Sequence, residues 1–135
     1  MPKTLLNPQG LLKSSGAFSH GVKVDLEGCE MIFVTGQVAM DEGGNVVHAD
    51  SLGKQTEFIF DNISRILAEG SASLDDIVKV TIYLTHLHPA TFGEVAEVRN
   101  RYLANAKSAS TLVGVTKLAK DACHVSIDAI AIHKK

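Results

Sequence analysis

A strand pattern near the end of the chain, over residues 124–133, is apolar on both of its faces. One face carries Val125, Ile127, Ala129 and Ala131, and the other carries Ile130 and Ile132. Because successive side chains of a strand point to opposite sides of a sheet, both sides of this strand need cover. The chain must therefore fold into a sheet that other protein surfaces bury from two directions.

Four further strands and two helices are predicted around this segment. Alternating apolar and polar residues or runs of β-formers indicate strands at 22–27, 30–35, 77–85 and 111–116. The first helix is expected to begin at Asp50 or Ser51 and to end at Gly70. Pro89 suits the first turn of the second helix. The predicted order is β-β-α-β-α-β-β, an α+β or α/β sandwich with one sheet and two helices.

The second helix is expected to bury one stripe of side chains at helical spacing. This stripe consists of Phe92, Val95, Ala96, Arg99, Tyr102 and Leu103. Two helices can cover only one face of the sheet, so a second copy of the chain is the simplest cover for the other face. The sequence therefore predicts a closed homo-oligomer.

Composition narrows the class of protein. A length of 135 residues predicts a single domain, residues 1–135. The formal net charge is −2 and the basic residues are scattered, which argues against nucleic-acid or membrane-surface partners. No apolar run approaches membrane-spanning length, and the N-terminus does not read as a signal peptide. Cys29 and Cys123 have no CxxC spacing, so we expect reduced thiols in a cytoplasmic protein and no zinc site.

Several short motifs, in order, carry a resemblance to a known family. They are Gly16–Val22, Ile32–Val38, Gln55–Ile63, Ser73–Thr81, Leu118–Ala122 and the longer stretch Ser110–Ala131 that contains the last turn motif. In this order and spacing the chain resembles the RidA/YjgF family of small enamine/imine deaminases. The resemblance implies a chorismate-mutase-like fold, with two helices on one sheet face, assembled as a homotrimeric barrel whose ligand clefts lie between subunits. It also implies hydrolysis without a metal or an organic cofactor.

The resemblance also identifies which residues occupy the family's site positions. The family's tyrosine is Phe18, and its serine before Gly-Gln is Thr35, followed here by Gly36. Its carboxylate-binding arginine is replaced by Ser110, and the glutamate of its last strand falls at Ser126. Two more family residues, an asparagine on the second helix and a cysteine two positions after the arginine, fall at Ala96 and Leu112.

Loss of the arginine has a physical consequence. A guanidinium binds a carboxylate through two parallel hydrogen bonds, whereas the hydroxyls of Ser110 and Thr111 cannot balance a buried negative charge. We therefore expect a ligand that is neutral or holds its charge outside the cleft, and doubt the usual 2-imino acid deaminase activity. The predicted ligand-binding set is Phe18, Thr35, Gly36, Ser110, Thr111, Leu112, Gly114 and Ser126.

Ser110 and Ser126 are the candidate catalytic residues, although both can equally be ordinary strand hydroxyls. The functional alternatives are a cofactor-free hydrolase of an enamine, imine or related carbonyl compound, a non-catalytic ligand-binding or regulatory trimer, and, less favoured, a ribonuclease or translation inhibitor. His20 in its loop is expected to be structural rather than an acid/base group. His86 and His88 have no evident third ligand, so no metal site is expected.

Overall fold

Six strands form one mixed sheet with two helices on one face in the computed structural model, which describes residues 2–135. The elements are β1 (Lys3–Leu6), β2 (Gly21–Leu26), β3 (Cys29–Gln37), α1 (Leu52–Glu69), β4 (Ile77–Leu84), α2 (Pro89–Tyr102), β5 (Ala109–Gly114) and β6 (Val125–Lys134). A single 3₁₀ turn, Leu74–Asp76, precedes β4.

The strand apolar on both faces lies inside the sheet. The strand order is β1-β2-β3-β6-β4-β5, so β6 pairs with β3 on one side and β4 on the other, both antiparallel. Only β4 and β5 run parallel, and α2 makes the crossover that a parallel pair requires. The predicted fold class is confirmed.

The structure adds one strand to the predicted order. β1 pairs antiparallel with β2 from Lys3 to Leu6. Only Leu6 of this strand is buried, at the sheet edge, and the three residues before it are exposed. A four-residue segment with one buried side chain has too little alternation to be predicted as a strand.

Helix α1 begins and ends as its sequence predicts. The Ser51 hydroxyl accepts a hydrogen bond from the Lys54 amide (3.2 Å), which caps the helix N-terminus. At the other end the Gly70 amide donates to the Leu67 carbonyl (2.9 Å). Between these points the apolar side chains that face the sheet and α2 are buried: Ile59, Phe60, Ile63, Ile66 and Leu67.

The buried stripe of α2 differs from the predicted one. Val95, Ala96 and Leu103 are buried as expected, but the side chain of Phe92 is 43 % exposed and Val98 is buried instead. The reason is that α2 packs chiefly against α1, where the Tyr102 ring stacks on Phe60 with centroids 5.3 Å apart. The contact line therefore follows residues 95, 98 and 102, and the prediction for Phe92 was wrong.

The sheet face that points away from the helices, called here the open face, is uncovered in the single chain. Its β2, β3 and β6 part is largely apolar, and exposed side chains there are Leu26, Phe33 and Ile132. Toward β4 and β5 it becomes polar, with Lys79, Thr81, Tyr83, Thr111 and Asp128. The alternate residues of the same strands fill the core beneath the helices.

Two leucines on either side of the β4 end provide a matched test of this core. Leu84 is 1 % exposed and Leu87 is 45 % exposed. We expect Leu84→Ala to lower the free energy of unfolding by about 2–5 kcal/mol, because it leaves a cavity in a packed core. Leu87→Ala should change it by less than about 1 kcal/mol. Urea unfolding followed by circular dichroism measures both, and equal losses would contradict the assigned core.

Candidate functional site

Three of the predicted site residues, Thr35, Gly36 and Ser126, lie together where β3 meets β6. The pairing of these strands is irregular between Val34 and Gln37, so β3 bulges there. A Cβ atom added at Gly36 would lie 3.0 Å from the Ser126 Oγ. Glycine at this position therefore avoids a tight contact between the β3 backbone and the Ser126 hydroxyl.

The loop that carries Phe18 is tied to this bulge. The Thr35 amide donates to the His20 carbonyl (2.8 Å), and the Thr35 hydroxyl donates to the Ser19 carbonyl. The Phe18 ring remains 55 % exposed. Thr35 thus uses its hydroxyl to hold the loop, and the loop presents an aromatic side chain to the surroundings of the protein.

His20 is engaged at both ring nitrogens. Its Nδ1 accepts from the Gln37 Nε2 (3.1 Å), which also donates to the Thr35 carbonyl (3.0 Å). Its Nε2 lies 2.5 Å from the Leu12 carbonyl oxygen. This arrangement suits a neutral imidazole that donates from Nε2, and it favours the structural role expected for His20.

A surface cavity of about 740 Å³ opens beside this loop. Its wall includes Leu12, Lys13, Phe18, His20 and Glu42. Of the predicted ligand-binding set, only Phe18 lines this cavity. The size is sufficient for a small metabolite.

The predicted residues on β5 face in two directions, because neighbouring side chains of a strand alternate. Ser110, Leu112 and Gly114 are on the helix side, paired with Val80 and its alternate neighbours in β4. Thr111 is on the open face, where its hydroxyl accepts a hydrogen bond from the Lys79 ammonium. On the helix side, Arg99 of α2 donates from Nη1 to the Ser110 Oγ at 3.4 Å.

One chain does not bring all predicted site residues together. β5 is separated from β3 by β4 and β6, and three strand spacings amount to about 14 Å. The bulge with Thr35 and the loop with Phe18 therefore lie three strands away from Ser110 across the sheet. A molecule of a few heavy atoms cannot contact both groups within one chain.

A polar cluster on the open face was not among the predicted site residues. Burial raises the pKa of the Asp128 carboxyl, while the Tyr83 and Thr81 hydroxyls and the Lys79 charge partly offset that rise. The negative charge of Asp128 in turn raises the pKa of the Tyr83 phenol. The polar alternation of β4 was visible in the sequence. Its placement beside Asp128 depends on the β4–β6 register, Thr81 opposite Asp128.

The remaining candidate side chains have structural environments. Cys123 is buried, and this burial raises the pKa of its thiol, which disfavours a nucleophilic thiolate. His88 lies at the α2 N-terminus, and its amide donates to the Thr91 hydroxyl (3.0 Å). His86 lies near His124, with ring centroids 6.1 Å apart. Within residues 2–135 no three His, Cys, Asp or Glu side chains group as metal ligands would.

None of the helices within residues 2–135 has both the length and the apolar character needed to cross a membrane.

Comparison with known proteins gives consistent matches along the chain. A family model described as "Endoribonuclease L-PSP" matches residues 9–133. A RutC family protein of Pyrococcus abyssi is 37% identical over 132 residues, which cover 97% of this chain and 98% of that protein. Among solved structures, a putative endoribonuclease of Thermotoga maritima is 31% identical with a TM-score of 0.84, and 98% of each chain is covered. Yeast Mmf1 is 26% identical with a TM-score of 0.86, covering 98% of this chain and 100% of that one.

The Asp128 environment predicts a pH dependence of stability. A carboxyl whose pKa is raised by folding binds its proton more tightly when folded, so the native state loses stability as pH rises through the interval between the unfolded and folded pKa values. Asp128→Asn removes this titration. The free energy of unfolding of the variant minus that of the wild type should therefore be larger above this pH interval than in acid. Urea unfolding at pH 3 to 7 measures the difference.

Asp41 serves as the control of opposite sign. The hydrogen bond from the Asn45 amide lowers the pKa of its carboxyl, so its contribution is present at neutral pH and lost as pH falls. Asp41→Asn should therefore lose stability at pH 7 and approach the wild type in acid. The same pH trend for both variants would contradict the assigned environments.

Proposed function

This chain belongs to the Rid/YjgF family, the group whose model is described as endoribonuclease L-PSP, and from that premise we propose that it hydrolyses a small imine, enamine or related carbonyl compound. The reaction takes place in clefts between the subunits of a homotrimer. It needs water and no cofactor. Two free thiols, Cys29 and Cys123, support a cytoplasmic location.

The separation of the candidate residues carries the proposal of a cleft between subunits. Ser110 and Thr111 lie on β5, an edge strand, about 14 Å from the β3 bulge. Phe18 projects outward from its loop. An edge strand of one subunit that meets the Phe18 loop of a neighbour would unite the two halves around one ligand.

The open face supports the assembly. Phe33 is 42 % exposed and Ile132 is 40 % exposed, and they lie on neighbouring strands with Leu26 and Met31 nearby. A continuous apolar sheet face is costly to leave in water. Three copies that close around their open faces would bury these side chains.

The proposed chemistry is addition of water to a C=N bond. Water adds to the carbon, the resulting carbinolamine loses its C–N bond, and the products are a carbonyl compound and ammonia. The Ser126 hydroxyl beside Gly36 positions the water. Ser110, on the helix side of β5, and the exposed backbone near Val113 and Gly114 orient the ligand at the β5 edge. Phe18 supplies an apolar wall that limits access of bulk water.

Two alternatives have specific support. Ser110 stands where related deaminases have arginine, which favours a ligand-binding or regulatory trimer without turnover. Such a protein would be stabilised against heat by a small metabolite that it does not convert. The family description favours a ribonuclease, but the net charge of −2 offers little attraction for a polyanion. RNA binding that persists at physiological salt would restore that alternative.

The hydrolase proposal predicts ammonia release from imines generated in situ, including 2-iminopropanoate and 2-iminobutanoate. We expect Ser126→Ala to lower kcat/KM by about tenfold or more, because a positioned polar group aligns the water. Ser64→Ala, on α1 away from the site, is the matched control and should leave the rate unchanged. A wild-type protein that releases no ammonia above the uncatalysed rate from any imine is not a hydrolase of this class.

The same assay tests the role of Ser110. The wild type should hydrolyse 2-imino acids more slowly than relatives that carry arginine at this position. Because Ser110 contacts Arg99, Ser110→Arg is best made together with Arg99→Gln and compared with Arg99→Gln alone. The added arginine should raise kcat/KM for the carboxylated imines. A wild type as fast as the arginine-bearing relatives would show that Ser110 does not restrict the substrate.

The trimer predicts a particle three times the protomer mass of 14.4 kDa. Phe33→Glu places a charge on the open face and should yield monomers, since burial of an unpaired carboxylate is unfavourable. Phe92→Glu, on the outer side of α2, should leave the mass unchanged. Light scattering after size exclusion measures all three proteins, and a monomeric wild type at micromolar concentration would refute the assembly.

A further inference from the structure

Two histidines from distant parts of the chain meet at one end of the sheet. His86 lies just after β4, in the connection to α2, and His124 lies immediately before β6. Their ring centroids are 6.1 Å apart, and the ring planes are inclined at 50°. The two residues line a surface cleft of about 280 Å³ on one side and another of about 240 Å³ on the other. A small ion can therefore reach both rings from solvent.

The hydrogen bond of the His124 ring fixes which of its nitrogens carries a lone pair. Its Nε2 lies 3.1 Å from the Ala49 carbonyl oxygen. Because a carbonyl oxygen has no hydrogen to donate, Nε2 carries the proton and Nδ1 has the lone pair. Histidines that bind metals commonly donate their other ring N–H to a carbonyl or carboxylate, which sets the tautomer and the ring orientation. His124 already makes this hydrogen bond.

Both histidines belong to backbone segments that hydrogen bonds hold in place. The His124 amide donates to the Gln55 Oε1 (3.0 Å), and the His124 carbonyl accepts from the Thr85 amide (3.0 Å). The His86 carbonyl accepts from the Thr91 hydroxyl. Since Thr85 directly precedes His86, its bond to His124 ties the two segments together. The two rings are thus kept near each other by the fold itself.

Charge favours a cation in the larger of the two clefts, where Asp50 and Glu94 line the wall with the histidines. The Glu94 Oε2 accepts a hydrogen bond from the Gly53 amide (2.7 Å). The Asp50 carboxylate forms no ion pair within residues 2–135. The smaller cleft contains Lys117 and Lys120. A positive ion is therefore attracted to the Asp50 side of the two rings.

We propose that His86 and His124 together bind one divalent transition-metal ion of the Zn²⁺, Ni²⁺ or Cu²⁺ type. Imidazole nitrogens suit these ions. A metal held at about 2.0–2.1 Å by one nitrogen of each ring places the ring centroids roughly 4.5–6.5 Å apart, and the observed 6.1 Å lies within this range. Within the described chain no third side chain groups with them as a ligand, so water completes the coordination.

This site is separate from the proposed hydrolysis. Neither histidine belongs to the proposed cleft between subunits, and the proposed reaction needs no metal. The bound ion links the connection between β4 and α2 to the start of β6, so its binding should stabilise the folded chain. Either proposal can fail without the other.

The experiment is a titration of the full chain, prepared without a histidine tag, with Zn²⁺ in a buffer that does not chelate metals. Calorimetry should show saturable binding of one ion per chain, and saturating Zn²⁺ should raise the melting temperature by about 2 °C or more. Long-range ¹H–¹⁵N spectra of the imidazoles identify the ligand atom. The Nδ1 signal of His124 should shift on Zn²⁺ binding, while Nε2 remains protonated.

Variants test the assignment to these two rings. His86→Gln and His124→Gln should each weaken Zn²⁺ binding about tenfold or more, because each leaves a single imidazole ligand. His88→Gln removes the same residue type two positions from His86 and should change the affinity less than about twofold. Asp50→Asn should weaken binding about two- to threefold through loss of a nearby negative charge. Circular dichroism establishes that each variant is folded.

Two results would overturn the inference. One is the absence of saturable binding up to about 1 mM Zn²⁺, which corresponds to a very weak site. The other is a loss of affinity in His88→Gln as large as that in His124→Gln, which would indicate dispersed binding to surface histidines. Zn²⁺ binding without imine hydrolysis would preserve this inference and remove only the proposed reaction.

Discussion

The apolar character of both faces of β6 is the constraint on which the rest of the structure depends. Its core-facing side chains, Ile127 and Ala129 among them, are sealed by α1 and α2, while Ile130 and Ile132 point to the open face. Two helices are too few to cover both sides. The helices therefore bury one face of the sheet, and the apolar open face is the surface that our proposal assigns to contact between copies.

The proposed assembly would explain why the candidate site residues are scattered within one chain. A ligand site assembled between subunits draws residues from strands that are distant in any one protomer, as Ser110 and Thr35 are. Within one chain these residues form no single site, because some lie on the edge strand β5 and others at the β3 bulge. The polar cluster around Asp128 lies on the same open face and would then be inside the assembly. Interactions between its charged groups would be stronger there than in water.

The order of the predicted elements and the ends of α1 followed from local patterns that tertiary contacts reinforced, such as the Ser51 cap and the alternation in β4. The position of β6 between β3 and β4 came only from the structure. The family resemblance stated from short motifs is confirmed by matches along nearly the whole chain. The sequence patterns predicted neither the β1 strand nor the exposed position of the Phe92 side chain. The first has too few buried positions to produce a pattern, and the second depends on how α2 packs against α1.

The sequence by itself determined the fold family and the apolar character of both faces of the last strand, and through the family resemblance it placed Ser110 where related deaminases have an arginine. These are properties of residue type and spacing, which periodicity and motif order record directly. Only the tertiary structure decided that the Arg99 guanidinium contacts Ser110, because Arg99 comes from a helix whose approach to β5 is set by packing. An arginine missing from one strand is visible in a sequence, but an arginine that reaches the same place from another element is not.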